Sequence, residues 1–344
     1  MTGTMLAGRL HVGARELRME EVPVPEPGPG QVLLKVGAAG VCLSDVHLID
    51  GTLRPPFLDG DVVTLGHEVA GTVAGLGDGV RGWQTGDRVL LQAGEVDADG
   101  RILTRGVDYD GGWAEYALAT AGTLVRIPDG LPFEQACFIP DAVSTPFSAI
   151  RDSAGLRAGE AAGVWGVGGL GAHAVQLLRL AGAAPVVAVD PLPAARDRAL
   201  DLGADLALDP ADPDLRRKVF EATGRRGLDA AFDFAGVAAV RDQAASVLAR
   251  GTVGRRGGRL VLVGMTNQPL TIQDGTAFTA AQRSVVGSYG SVPQDVDDLV
   301  KLVRAGRLDL ARSVSGEFPL AEAPAAVEAL ERKAGNPIRL VLKP

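Results

Sequence analysis

Cys42, His67, Glu68 and Asp141 are the residue types a catalytic zinc site draws on: a thiolate, an imidazole and carboxylates. Three protein ligands leave one position open for water or substrate, where the metal acts as a Lewis acid on oxygen. The chain has four histidines, His11, His47, His67 and His173. Two of them lie in GVCLSDVH (40–47) and GHE (66–68), the segments that also hold Cys42 and Glu68. Taken singly, each residue has a plainer reading: Cys42 as a small buried apolar side chain, His67 as a hydrogen-bonded core residue, Asp141 as a helix cap.

A second motif changes the weighing. From Gly163 the chain reads GVWGVGGLGAHAVQLL, in which Gly166, Gly168 and Gly171 form G-x-G-x-x-G after an apolar strand and before a helix. The first glycine permits a tight turn, the second lets a pyrophosphate approach the backbone, and the third lets helix pack on strand. Gly169 and Leu170 complete the turn, and the helix start offers unpaired N–H groups and a positive dipole end to phosphate. The next strand, VVAVD, ends in Asp190, 19 residues beyond Gly171. A carboxylate there accepts both ribose hydroxyls and repels a 2′-phosphate, so the expected cofactor is NAD. The alternatives are that Asp190 caps the following segment, and that Arg196 and Arg198 hold a phosphate. A metal site and a dinucleotide cradle in one chain point to hydride transfer at a carbonyl or alcohol carbon.

The elements that must position these groups fall into two blocks. Up to about residue 145 the chain is rich in short Val-containing strands broken by Gly and Pro, the pattern of a β-rich, barrel-like domain. From about residue 148 strands alternate with helices, which predicts a doubly wound parallel sheet. PIRLVLKP reads as a last strand, and the C-terminal segment is expected to return to the first domain. The expected division is 1–147 with 288–344 for the catalytic domain and 148–287 for the dinucleotide-binding domain. Glu95, Asp97 and Asp99 read as a solvated loop, as does TVGRRGG (252–258).

Composition excludes other classes. The chain is 46% hydrophobic and 22% charged, with 34 basic and 42 acidic residues, and no basic stripe suggests nucleic acid. Two cysteines cannot build a disulfide framework and fit a reducing, cytoplasmic interior. Arg9 and Arg15 interrupt any signal-peptide core. Residues 161–178 carry no charged side chain, but five of them are glycine, and the stretch breaks into strand, turn and helix rather than a membrane span.

Over nearly its whole length the chain resembles the zinc-dependent medium-chain dehydrogenase/reductase family, the alcohol and polyol dehydrogenases. The resemblance rests on G-V-C-x-S-D-x-H at 40–47, G-H-E at 66–68, G-D-R-V at 86–89, G-G-x-A-E-Y at 111–116 and the GVGGLG turn. It implies a GroES-like catalytic domain beside a Rossmann coenzyme domain, with one zinc on Cys42, His67 and Asp141. Asp141 stands where cysteine is more common. Glu68 matches a carboxylate that enters the coordination sphere transiently, and Asp45 one that orients the histidine. Ser44 matches a hydroxyl on the substrate oxygen, His47 the outer end of a proton relay, Thr145 a residue touching nicotinamide, and Arg339 a cation near the pyrophosphate. No cysteine follows Asp87 in the region of the four-cysteine structural lobe, so that lobe cannot form.

The implied reaction is reversible, NAD-dependent oxidation of an alcohol. Ala93, where many relatives carry an aromatic pocket residue, suggests room for branched or aryl substrates, and the expected substrate is a secondary, aryl or polyol alcohol. A zinc-free, NADPH-dependent quinone or enoyl reductase and an idle dinucleotide-binding protein are the competing readings. The family often forms homodimers or homotetramers, and RSVVGSYG (283–290) could extend a sheet across such a contact.

Overall fold

The structure is a computed structural model that describes residues 3–344. Its contacts divide the chain into two units: residues up to Asp141 together with Pro293–Pro344, and Ala142–Val292.

The first unit opens with β1 (Thr4–His11), β2 (Glu16–Pro23) and β3 (Gln31–Val41), followed by α1 (Leu43–Asp50). Next come β4 (Val62–Thr64), β5 (Val69–Leu76), β6 (Arg88–Leu91), β7 (Gly94–Val96), β8 (Ile102–Thr104), β9 (Tyr116–Thr120), β10 (Leu124–Arg126) and α2 (Phe133–Ala136). Short strands cut by Gly and Pro favour curved antiparallel pairing over long flat strands, and the pairing is almost wholly antiparallel. Val32, Leu34, Val36, Val69, Val73, Val89 and Leu91 form the centre of one apolar core.

β7 and β8 pair as an antiparallel hairpin that takes Glu95 into a strand, while Asp97 and exposed Asp99 lie in the loop that joins the strands, as expected. Asp97 accepts the N–H groups of Asp99 and Arg101 at 2.9 and 2.8 Å, so its carboxylate builds the turn.

The second unit holds α3 (Ser144–Ser148), β11 (Ala162–Trp165), α4 (Gly169–Leu180), β12 (Val186–Val189), α5 (Pro193–Asp201), β13 (Leu206–Leu208), α6 (Leu215–Ala222), β14 (Ala230–Asp233), α7 (Ala238–Ser246), β15 (Arg259–Leu262), α8 (Gly275–Ala280) and β16 (Ser284–Gly287). The strands form one six-stranded parallel sheet, ordered β13-β12-β11-β14-β15-β16. β11, β12 and β14 are buried at every position, as expected when helices cover both faces of a parallel sheet. The chain therefore has the expected α/β organisation, a GroES-like β-rich part and a doubly wound Rossmann part.

The remaining elements, α9 (Pro293–Arg304), β17 (Val314–Pro319), α10 (Ala323–Glu331) and β18 (Arg339–Lys343), belong to the first unit. β18 pairs with β3 and β17, so both strands of this segment belong to the larger sheet of the first unit, with β17 at its edge.

The units part a few residues from the boundaries expected at 147/148 and 287/288. Helix α3 packs on α4, and Ser291 Oγ donates to Ser144 Oγ at 2.8 Å, tying both flanking segments to the second unit. TVGRRGG is an exposed loop, but Arg255 within it lies 3.0 Å from Asp229, so it has a structural anchor. Among the described residues no helix is long and apolar enough to cross a membrane.

Candidate active site

Where β3 gives way to α1, Cys42 occupies the helix N-cap with extended backbone. Asp45, in the first helical turn, accepts the Cys42 N–H with Oδ2 at 2.8 Å, the backward reach of a capping carboxylate. Its Oδ1 lies 3.6 Å from His67 Nδ1. One buried carboxylate therefore both starts the helix and faces the imidazole.

His67 and Glu68 lie between β4 and β5, directly after Gly66. The Gly66 φ of +97° is in the left-handed region, and a Cβ there would come 2.3 Å from Trp113 Cδ1, so only glycine fits. Asp141 comes from a π-helical turn, Ile139–Val143, a widened turn that recurs at functional sites.

Cys42, His67, Glu68 and Asp141 each offer one ligand atom, and these atoms all lie within 4.8 Å of one another. His67 Nε2 is 3.4 Å from Asp141 Oδ2 and 3.3 Å from Ser44 Oγ, and Cys42 Sγ is 3.4 Å from the same Asp141 oxygen. Cys42, His67 and Glu68 are buried, while the Asp141 side chain keeps 21% of its surface. His67 thus presents Nε2 to the cluster and Nδ1 to Asp45.

Arg339, at the start of β18, is also buried here. Its Nη2 lies 3.0 Å from Glu68 Oε1, 3.6 Å from Asp141 Oδ2 and 3.8 Å from Cys42 Sγ. The resemblance suggested a cation near pyrophosphate; its visible partners are these acidic groups, because a buried guanidinium needs counter-charge.

The charges bear on what the pocket could hold. Burial, with repulsion from Asp141 and Asp45, pushes the Glu68 carboxyl up to about 8 despite Arg339 and His67. Burial would lower the His67 value, but Asp45, Asp141 and Cys42 outweigh it and hold the imidazolium well above the ordinary range. Burial likewise works against ionised Asp141, yet His67 and Arg339 bring its carboxyl well below the usual range. Buried His67 Nδ1, Asp45 Oδ1 and Glu68 Oε2 have no hydrogen-bond partner among the described residues. A pocket with excess acid and unsatisfied ligand atoms fits a divalent cation, and thiolate with imidazole favours zinc over magnesium or calcium.

In the second unit, β11 runs into the glycine turn. Gly166 has a φ of +89°, and Gly168 stands just ahead of α4. A Cβ on Gly171 would fall 1.8 Å from Gly166 O, so the third glycine lets the helix lie against the turn. A Cβ on Gly168 would meet nothing within 4 Å, leaving its backbone face open to a ligand. Gly169 and Leu170 form the first turn of α4.

Asp190 follows β12, accepting Val167 N–H with Oδ2 at 2.8 Å and Leu192 N–H with Oδ1 at 2.9 Å. It braces the glycine turn and caps the next segment, and a carboxylate has lone pairs left for further donors. Arg196 donates to the carbonyls of Asp190 and Pro191, and Arg198 to that of Val167. Thr145 is buried in α3 of this unit, while Ser44 and His47 sit three residues apart on α1 of the first.

Comparison with known proteins places this arrangement. The family model for the alcohol dehydrogenase GroES-like domain matches residues 28–129, and that for zinc-binding dehydrogenases matches 169–305. An NDMA-dependent alcohol dehydrogenase of Amycolatopsis methanolica is 33% identical, across 92% of this chain and 93% of its own. The crystal structure of 2R,3R-butanediol dehydrogenase from Bacillus subtilis superposes with a TM-score of 0.88 at 28% identity, covering 99% of each chain. A Sinorhizobium meliloti 1021 protein solved with NADP bound gives 0.89 at 27% identity, covering 99% of this chain and all of the other. The chain belongs to the zinc-type medium-chain dehydrogenase/reductase family, and is an oxidoreductase.

The motifs did not signal the local partners of Arg339 or the contacts of Trp113. The only trace of Trp113 in the sequence is a bulky aromatic at the open position of G-G-x-A-E-Y.

Proposed function

We propose that this chain is a zinc-dependent alcohol dehydrogenase, transferring hydride reversibly between NAD and a secondary, aryl or polyol alcohol. The observation that carries the reading is the convergence of Cys42, His67, Glu68 and Asp141 ligand atoms within 4.8 Å. Held by Cys42, His67 and Asp141, with Glu68 in reserve, zinc supplies Lewis acidity toward a substrate oxygen. The nicotinamide carries the hydride.

The chain's own residues orient and deprotonate. Asp45 holds the imidazole so that Nε2 faces the cluster, and Arg339 offsets the buried charge of Glu68. Ser44 Oγ accepts the substrate hydroxyl proton as it gives its own toward half-buried His47, one turn further along α1. Gly166, Gly168 and Gly171 let the pyrophosphate approach the start of α4, Thr145 contacts the nicotinamide, and Asp190 receives the ribose hydroxyls.

NAD is the proposed cofactor because Asp190 is an acceptor where a 2′-phosphate needs donors. The NADP-bound relative makes this the feature to test first. β16 ends its sheet, and its outer edge suits pairing with a second copy in a homodimer or homotetramer.

The experiment is an alcohol panel run with NAD and with NADP, before and after dialysis against a chelator. The expected outcome is NAD reduction that the chelator abolishes and zinc restores. Equal turnover after metal removal, or a tenfold preference for NADP, overturns the corresponding part of the proposal.

A further inference from the structure

We infer that Trp113 is a positioning residue for the metal-ligand cluster, locking together the two segments that deliver Cys42 and the His67–Glu68 pair. The inference rests on the zinc reading above and concerns residues of the first unit only.

Trp113 is fully buried. Its indole Nε1–H donates to Gly40 O at 2.9 Å, two residues ahead of Cys42. Its main-chain N–H donates to Leu65 O at 2.9 Å, two residues ahead of His67. Gly111 and Gly112 extend that pairing to Thr64 O and Gly66 O at 2.7 and 2.8 Å. The ring lies so close to Gly66 that any side chain there would collide with it.

Gly40 N–H closes the loop by donating to Glu68 O at 2.9 Å. One residue therefore bridges both ligand-bearing segments beside the direct Gly40–Glu68 bond, and its own tie to the Cys42 side is a single indole donor. Phenylalanine fills much of the same space but has no donor, leaving Gly40 O without its indole partner. Metal affinity responds to such supports: losing groups that orient ligands typically costs about 10–100-fold.

The test uses the full chain, loaded with zinc or with cobalt(II), whose visible spectrum reports the ligand field and whose thiolate charge-transfer band reports Cys42. Three variants are compared with the parent: Trp113→Phe; Trp113 replaced by 3-benzothienylalanine, which keeps the indole shape without its N–H; and Trp165→Phe. The last is the control, because Trp165 is a buried tryptophan of the second unit whose Nε1 donates to Gln243 at 3.0 Å.

Both Trp113 replacements are expected to release zinc to a chelator about tenfold faster than the parent and to alter the cobalt–thiolate band. The control should do neither. If Trp113→Phe does not fold, the benzothienyl isostere decides. A parent that holds metal while the folded Trp113 variants match it overturns the inference and leaves the zinc reading standing. Equal changes in the Trp165→Phe control also overturn it, because general loosening then explains them. A parent that takes up no metal defeats the zinc reading, and the inference with it.

Discussion

Asp45 Oδ1 lies 3.6 Å from His67 Nδ1, while the other oxygen of the same carboxylate accepts the Cys42 N–H at 2.8 Å. The side chain that starts α1 thus also lies beside the imidazole nitrogen turned away from the ligand cluster. Asp45→Asn keeps the size and removes the charge. It is expected to weaken zinc binding about 10–100-fold, measured by chelator competition. Unchanged affinity would reduce Asp45 to a helix cap.

Ser44 Oγ is 3.3 Å from His67 Nε2, at the edge of the cluster but not among the ligand types that zinc prefers. Ser44→Ala is therefore expected to leave zinc content intact while lowering kcat about 10²-fold. Metal analysis and steady-state kinetics on one preparation separate the two effects. Wild-type turnover in the variant would remove Ser44 from the proton path.

Gly171 has no room for a methyl group, because a Cβ would sit 1.8 Å from Gly166 O. Gly171→Ala must push α4 away from the turn. The expected result is a loss of about 1–3 kcal/mol in stability, together with weaker NAD binding. Thermal unfolding and fluorescence titration measure the two. Full retention of both would mean that the turn yields easily.

Glu160 Oε2 accepts the Arg157 N–H at 3.0 Å and meets Arg259 Nη2 at 2.6 Å. Burial opposes ionisation, but these partners win, and the folded carboxyl sits below its ordinary value. A depressed folded pKa stabilises above the unfolded pKa, and that stability is lost as pH falls through the folded one. Glu160→Gln should destabilise by about 1 kcal/mol at neutral pH, with the gap to wild type closing below about pH 4. Urea unfolding across that range checks it; a constant gap would show that packing, not charge, is at stake.

Side-chain chemistry and spacing made much of this legible. The strand–glycine–helix turn is a local motif, and Gly166, Gly171 and Asp190 stand where their spacing put them. Cys42 and Asp141 were nominated by type, but their approach to 3.4 Å across 99 positions is a tertiary fact that residue types only imply. Trp113 was out of reach because its role is a single hydrogen bond to a carbonyl 73 residues away, and carbonyls have no sequence signature. The buried partners of Arg339 are hidden for a similar reason: a cation in a final strand says nothing of which buried anions await it. In the 94–104 hairpin, Asp97 acts through turn-forming backbone bonds, which an acidic composition conceals.

The central claim is that the pocket of Cys42, His67, Glu68 and Asp141 is a zinc site, and elemental analysis of the purified protein and of His67→Ala tests it most directly. The account requires one zinc per parent chain, and neither stoichiometric zinc nor alcohol-dependent NAD reduction in the variant. A parent that is active without metal, or a variant that keeps both zinc and turnover, would contradict it.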